Sequence, residues 1–227
     1  MLKKLTSILG VTTTIAIASN APYYEPYKKE SLNYIYNLLF CDSVELFKKE
    51  NIKEKNSPWR EIFADKFNAK ELQALVDSNT TESRVKILAY NKMRDNKIEV
   101  PSKKLYGVIV EVNMPQGLDV LASFADGSAR YINYSEKIAV VDGVPNIFEK
   151  HIQAVLDASQ NIVDKIGVWD KERLAPPAVG NMRFTFLCSD GLYFGEGSME
   201  AIQSDALSQP LFMSAVGLLR ELTDKVK

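Results

Sequence analysis

The side chains able to carry chemistry are few: one histidine, His151, two cysteines, Cys41 and Cys188, and scattered carboxylates. Imidazole titrates near neutral pH, so His151 could serve as a general base wherever a nucleophile or metal partner stood within hydrogen-bond reach. Asp170 and Glu196 are carboxylates that could converge with it, in a small hydrolase or a ligand-binding enzyme. No nucleophile–base spacing surrounds His151, and its place one step off an apolar helical stripe suits a partly exposed helix residue. The cysteines form no CxxC pair, and a zinc or haem site would have to rest on carboxylates. No catalytic residue, metal ligand or cofactor is therefore assigned.

Other stretches carry residues suited to binding. Trp169, Asp170, Lys171, Glu172 and Arg173 precede Pro176-Pro177. An aromatic ring, a fork-shaped cation and prolines on a loop are favoured in interface hot spots, while a tryptophan plugging a sheet edge is the plainer reading. Arg130 and Tyr131, with Tyr134, could form an aromatic–basic patch on a strand; alternatively Tyr131 is half-buried and Arg130 pairs with a carboxylate. Gly195, Glu196 and Gly197 lead from a strand into Ser198 and a helical turn, where backbone N–H groups could face a ligand. Glu196 would repel an anion, and the spacing matches no phosphate loop. Asp126 and Asp190 each precede a glycine, and turn chemistry accounts for both.

The elements that must position these residues are legible from periodicity. Residues 105–112, 118–125, 128–134 and 137–141 read as a four-stranded meander, with a two-residue type I′ turn at Asp126-Gly127. Connections this short allow only antiparallel neighbours. Residues 182–188 and 192–197 flank a second Asp-Gly corner, Asp190-Gly191. Between them Pro145-Asn146 precedes a helix that runs to about Ile166, with Gly167 placed to end it in the left-handed conformation. Ahead of the meander come short helices, opened by Ser31, by Asp42 or Ser43, by Ser57-Pro58, by Asn68 and by a reciprocal cap within Asn79-Thr80-Thr81-Glu82; residues 48–56 read as loop. Gln209-Pro210 starts a last helix. The expected fold is α+β: an antiparallel sheet of five or six strands, packed by helices on one face, with an N-terminal helical subdomain.

Composition bounds the rest. Hydrophobic residues make up 46% of 227, enough for a sizeable core. With 28 basic and 29 acidic residues, nothing marks a nucleic-acid footprint. Residues 1–22 read as a flexible segment or a signal peptide, 23–97 as the helical subdomain and 98–227 as the sheet domain, the last two forming one globular unit. Lys3-Lys4, the uncharged run after them and Ala16-Ile17-Ala18 outline a secretory signal, but threonines dilute the run and it is too short to span a bilayer, which takes roughly 20 residues. Lone cysteines make no disulfide framework, so a cytoplasmic location is preferred over export, and no transmembrane segment is expected.

Three stretches together carry a resemblance: Ala125-Asp126-Gly127-Ser128-Ala129-Arg130-Tyr131-Ile132-Asn133, Ile166-Gly167-Val168-Trp169-Asp170, and Asp190-Gly191-Leu192-Tyr193-Phe194-Gly195-Glu196-Gly197. They resemble an uncharacterised group of bacterial proteins of similar length, a likeness that brings no activity, cofactor or catalytic residue with it. The order of strands and helices is also loosely similar to profilin-like and roadblock-type modules, which bind partners; fold alone does not fix function. The reading favoured is a non-enzymatic protein-binding or regulatory module, acting on a protein partner or as a homodimer through a sheet edge or the Trp169 loop.

Overall fold

A computed structural model describes residues 21–51 and 56–225 of the chain. The N-terminal reading of a signal falls on residues outside these. Five helices come first: α1 (Glu30–Leu39), α2 (Val44–Asn51), α3 (Trp59–Phe63), α4 (Ala69–Asp77) and α5 (Ser83–Asp95). The meander follows as β1 (Leu105–Met114), β2 (Gly117–Phe124), β3 (Ala129–Ile132) and β4 (Ile138–Val141). Then come α6 (Glu149–Val163), β5 (Asn181–Cys188), β6 (Gly191–Ser198), α7 (Met199–Ser204) and α8 (Gln209–Lys225). The strands make one six-stranded sheet in the order β4-β3-β2-β1-β5-β6. Every neighbouring pair is antiparallel, as the sequence leads one to expect of this α+β fold.

The central strand explains why helices lie on both faces. Val108 and Val110 point to one side of β1 and join Phe184, Phe186, Ile152, Val155 and Leu218 in a core beneath α6 and α8. Ile109 points to the other side and joins Tyr36, Leu39, Phe40, Leu88 and Met93 from the N-terminal helices. A strand buried on both faces reads as an unbroken apolar run, which is how residues 108–110 look in sequence before Glu111 interrupts it. Each fully buried Leu, Val or Phe contributes roughly 1.5–3 kcal/mol. The fit is close at Gly107, where an added Cβ would stand 2.7 Å from Phe124 Cδ1.

Local chemistry shifts several boundaries. The β2–β3 corner is not a two-residue type I′ turn. Gly127 N–H donates to the Phe124 carbonyl at 2.9 Å and Phe124 N–H to the Ser128 carbonyl at 2.9 Å, giving a three-residue loop. Gly127 takes the left-handed position there, with φ +80°, and Asp126 does not. Helix α2 runs to Asn51 through the stretch expected to be loop; Lys48 reaches Glu45 at 4.0 Å and Asn51 Nδ2 donates to the Phe47 carbonyl at 2.9 Å. Helix α1 begins at Glu30, ahead of Ser31, and α6 stops at Val163, without a left-handed Gly167. Lys103 Nζ takes over the glycine's role, donating to the carbonyls of Asp164 at 3.0 Å and Ile166 at 2.9 Å. Asn68 caps α4 as expected, through Lys70 N–H and Glu71 N–H.

Candidate functional site

A sheet has two edges, and an edge strand presents unpaired backbone groups able to pair with another chain. This protein treats its edges differently. Beside β6, Trp169 N–H donates to the Leu192 carbonyl at 2.7 Å, forming an antiparallel bridge. The Trp169 ring meets Phe194 edge-on at 4.7 Å, its Nε1 donates to the Glu172 carbonyl at 2.9 Å, and Lys171 lies over its face at 5.4 Å. The tryptophan thus caps the β6 edge at Leu192 and Phe194.

Arg173 anchors that loop from within. It is only 5% exposed. Its Nε donates to Asp42 Oδ2 at 2.7 Å, and its Nη2 donates to the Pro22 carbonyl at 2.8 Å and Asn37 Oδ1 at 2.9 Å. The Phe40 ring lies 4.0 Å from the guanidinium. Burial pushes the Asp42 carboxyl up, and Arg173 opposes that shift. In this closed arrangement Arg173 is a tether between the loop and α1, while Asp170, Lys171 and Glu172 stand exposed.

Glu196 belongs to a polar cluster on the N-terminal-helix side of the sheet. Arg183 Nε and Nη2 both donate to Glu196 Oε2, at 2.8 and 2.5 Å, and Arg183 Nη1 lies 4.0 Å from Glu111 Oε2. Tyr36 hydroxyl donates to Glu111 Oε1 at 2.7 Å. Glu111 is 1% exposed, and burial pushes its carboxyl up against the pull of Tyr36, Arg183 and Arg173. His151 lies across the sheet, on α6 beside Gly217 of α8. His151 and Glu196 therefore sit on opposite faces, and the convergence with Asp170 that a hydrolase would need is not formed. Gly195 and Gly197 are strand residues paired with Phe184 and Met182, not a loop of free N–H groups. They floor a groove of about 270 Å³ lined by Ile162, Phe186, Ile202 and Leu207.

Arg130 and Tyr131 lead to the other edge. Arg130 is spent on closing the β3–β4 pair: its Nη1 donates to the Val141 carbonyl at 2.5 Å and its Nη2 to Asp142 Oδ1 at 3.0 Å. Tyr131 is buried, with its hydroxyl donating to Asp119 Oδ2 at 3.1 Å. Neither forms an exposed patch, but the strand they hold does. The β3–β4 corner closes with Asn133 N–H on the Lys137 carbonyl at 2.9 Å. Bonding alternates along an antiparallel pair, so Ala139 and Val141, opposite Tyr131 and Ala129, direct their backbone groups toward β3. Ile138 and Val140 direct theirs outward. These two residues are 38% and 52% exposed, with side chains on the face shared with Arg130.

Among the described residues no strand pairs with this outer side of β4. Its Ile-Ala-Val-Val sequence carries no charge, proline or bulge to discourage pairing; only Lys137 and Asp142 flank it. Ile138 and Val140 escaped the sequence reading, although a last meander strand followed by a helix is a natural edge. No family model matches the chain, and neither curated proteins nor solved structures yield a match.

Proposed function

We propose that the chain is a non-enzymatic protein-binding module that takes an extended segment of a partner protein onto the outer side of β4. The observation that carries this reading is the contrast between edges: β6 is bridged at Leu192 and packed at Phe194 by Trp169, whereas β4 presents the outward backbone groups of Ile138 and Val140 beside their exposed side chains with no such contact. Main-chain pairing would supply affinity, and apolar residues at alternate positions of the partner would meet Ile138 and Val140. A four-residue strand is small beside the roughly 800 Å² per partner of a standard interface, which favours a peptide segment over a second copy of the chain. Cys41 and Cys188 are both free and buried, which fits the preferred cytoplasmic location. Among the described residues no helix is long and apolar enough to cross a membrane.

The test is selection of displayed short peptides on the wild-type protein, followed by measurement on V140P. Proline at this position removes an outward N–H without removing one that bonds to β3. Selected peptides with alternating apolar residues, bound about tenfold more weakly by V140P, are expected. Failure to select any, or equal binding by V140P, overturns the proposal. Concentration-dependent dimerisation abolished by V140P would replace the peptide with a second copy.

A further inference from the structure

The strand read as the binding edge is flanked by charges of opposite sign, Lys137 ahead of Ile138 and Asp142 after Val141. The two lie on opposite faces of the sheet. The Lys137 carbonyl accepts from Asn133 N–H, so Lys137 is in step with Ala139, which packs on the α6 side. Lys137 is exposed and makes no ion pair among the described residues. Its neighbour Glu136 is already held, by Lys28 N–H at 2.6 Å and by Lys29 Nζ at 3.8 Å. Asp142 is in step with Ile138 and Val140, and its Oδ1 accepts from Arg130 Nη2 on the face of the N-terminal helices. The Asp142 side chain is nonetheless 87% exposed, against 14% for Arg130. Both line a cleft of about 380 Å³ together with Glu82 and Arg84, a second ion pair in which the carboxylate is the more exposed member. The charge presented to a partner is thus positive at the start of β4 and negative at its end.

This arrangement restricts what can pair. Residues directly opposite one another in an antiparallel pair share a face. When two copies of the chain pair in this way through β4, Lys137 of one copy therefore never meets Asp142 of the other, and the complementary charges go unused. A foreign segment is free of that restriction. Every pair in the sheet is antiparallel, and such a ladder is slightly more stable per residue than a parallel one. A segment running in that direction meets Asp142 first, then Val140 and Ile138 at alternate positions, and Lys137 last. Resting on the reading of β4 as the binding edge, we propose that the partner segment runs antiparallel to β4 with the order basic, any, apolar, any, apolar, acidic. Its lysine or arginine pairs with Asp142 at the mouth of the cleft, and its carboxylate pairs with Lys137 on the other face.

Two labelled peptides of one composition test this, Lys-Thr-Val-Thr-Val-Glu and Glu-Thr-Val-Thr-Val-Lys, each between uncharged Gly-Ser flanks and titrated into the full-length protein by fluorescence anisotropy. With the valines opposite Val140 and Ile138, the first places both charges on opposite partners and the second places both on like ones. The first is expected to bind about tenfold more tightly. Lys137 is exposed, so K137E keeps the fold, and it is expected to cut that preference to about threefold; D142N is expected to do the same. Equal binding of the two peptides, tighter binding of the second, or a preference unchanged by both K137E and D142N overturns the proposal. Equal binding that V140P still weakens would leave the β4 edge standing as the site. Binding that V140P leaves unchanged, or no binding of either peptide, would overturn the edge reading as well.

Discussion

Asp126 does two jobs with one carboxylate. Its Oδ1 accepts from Ser128 N–H at 3.0 Å and Ser128 hydroxyl at 2.7 Å, holding the hairpin corner. Its Oδ2 accepts from Ser83 N–H at 2.7 Å, while its own N–H donates to Ser83 Oγ at 2.9 Å. The start of α5 is thus capped reciprocally from the sheet, in place of the cap expected within its own sequence. Burial acts to raise the Asp126 pKa, but the bonds from Ser128 and Ser83 outweigh it and hold the carboxyl below its usual range. A depressed folded pKa contributes stability that is present above the unfolded value and lost as pH falls through the folded one. D126N should therefore lower stability by about 1–2 kcal/mol at neutral pH, and its gap from wild type should narrow below about pH 4, as read by denaturant melts across pH. The same scale holds the Tyr36–Glu111 bond. Y36F leaves Glu111 Oε1 without its donor and should cost about 1–3 kcal/mol in the same melts. The Asp126-Gly127 corner was legible because turn chemistry is local. Its bond to Ser83 spans 43 residues, and neither residue carries a mark of the other.

Elements divide into those that finish the sheet and those that leave it open. Trp169 bridges the β6 edge at Leu192 and packs on Phe194, so W169A should lower stability by about 2–3 kcal/mol and expose more of an edge that promotes association. Substitutions along β4 should alternate in effect. A139P removes an N–H directed at β3 and should cost about 3 kcal/mol. V140P removes one directed outward and should stay within about 1 kcal/mol of wild type by thermal melting. The strands themselves were readable from Val and Ile content and glycine corners. Which edge would be covered was not, because Trp169 meets Leu192 through a loop whose path periodicity does not record. The reach of α2 to Asn51 was hidden for a different reason: its last turn is polar and is held by its own side chains.

Across the whole molecule, sequence order maps onto layers. The N-terminal helices lie on one face of the sheet and α6 with α8 on the other, so Ile109 and Val110, neighbours in sequence, enter different cores. The polar cluster of Tyr36, Glu111, Arg183 and Glu196 links the first layer to the sheet centre, and Arg173 links it to the loop that covers β6. The proposed function places partner-strand addition on the four residues of β4, the edge that no described residue caps. Residue-resolved hydrogen exchange on the dilute protein tests this most directly. The account predicts that the Ile138 and Val140 amides exchange close to the rate of unstructured chain while Ala139 and Val141 are protected. Slow exchange at Ile138 and Val140 that persists on dilution would mean that the edge is already occupied, and would contradict it.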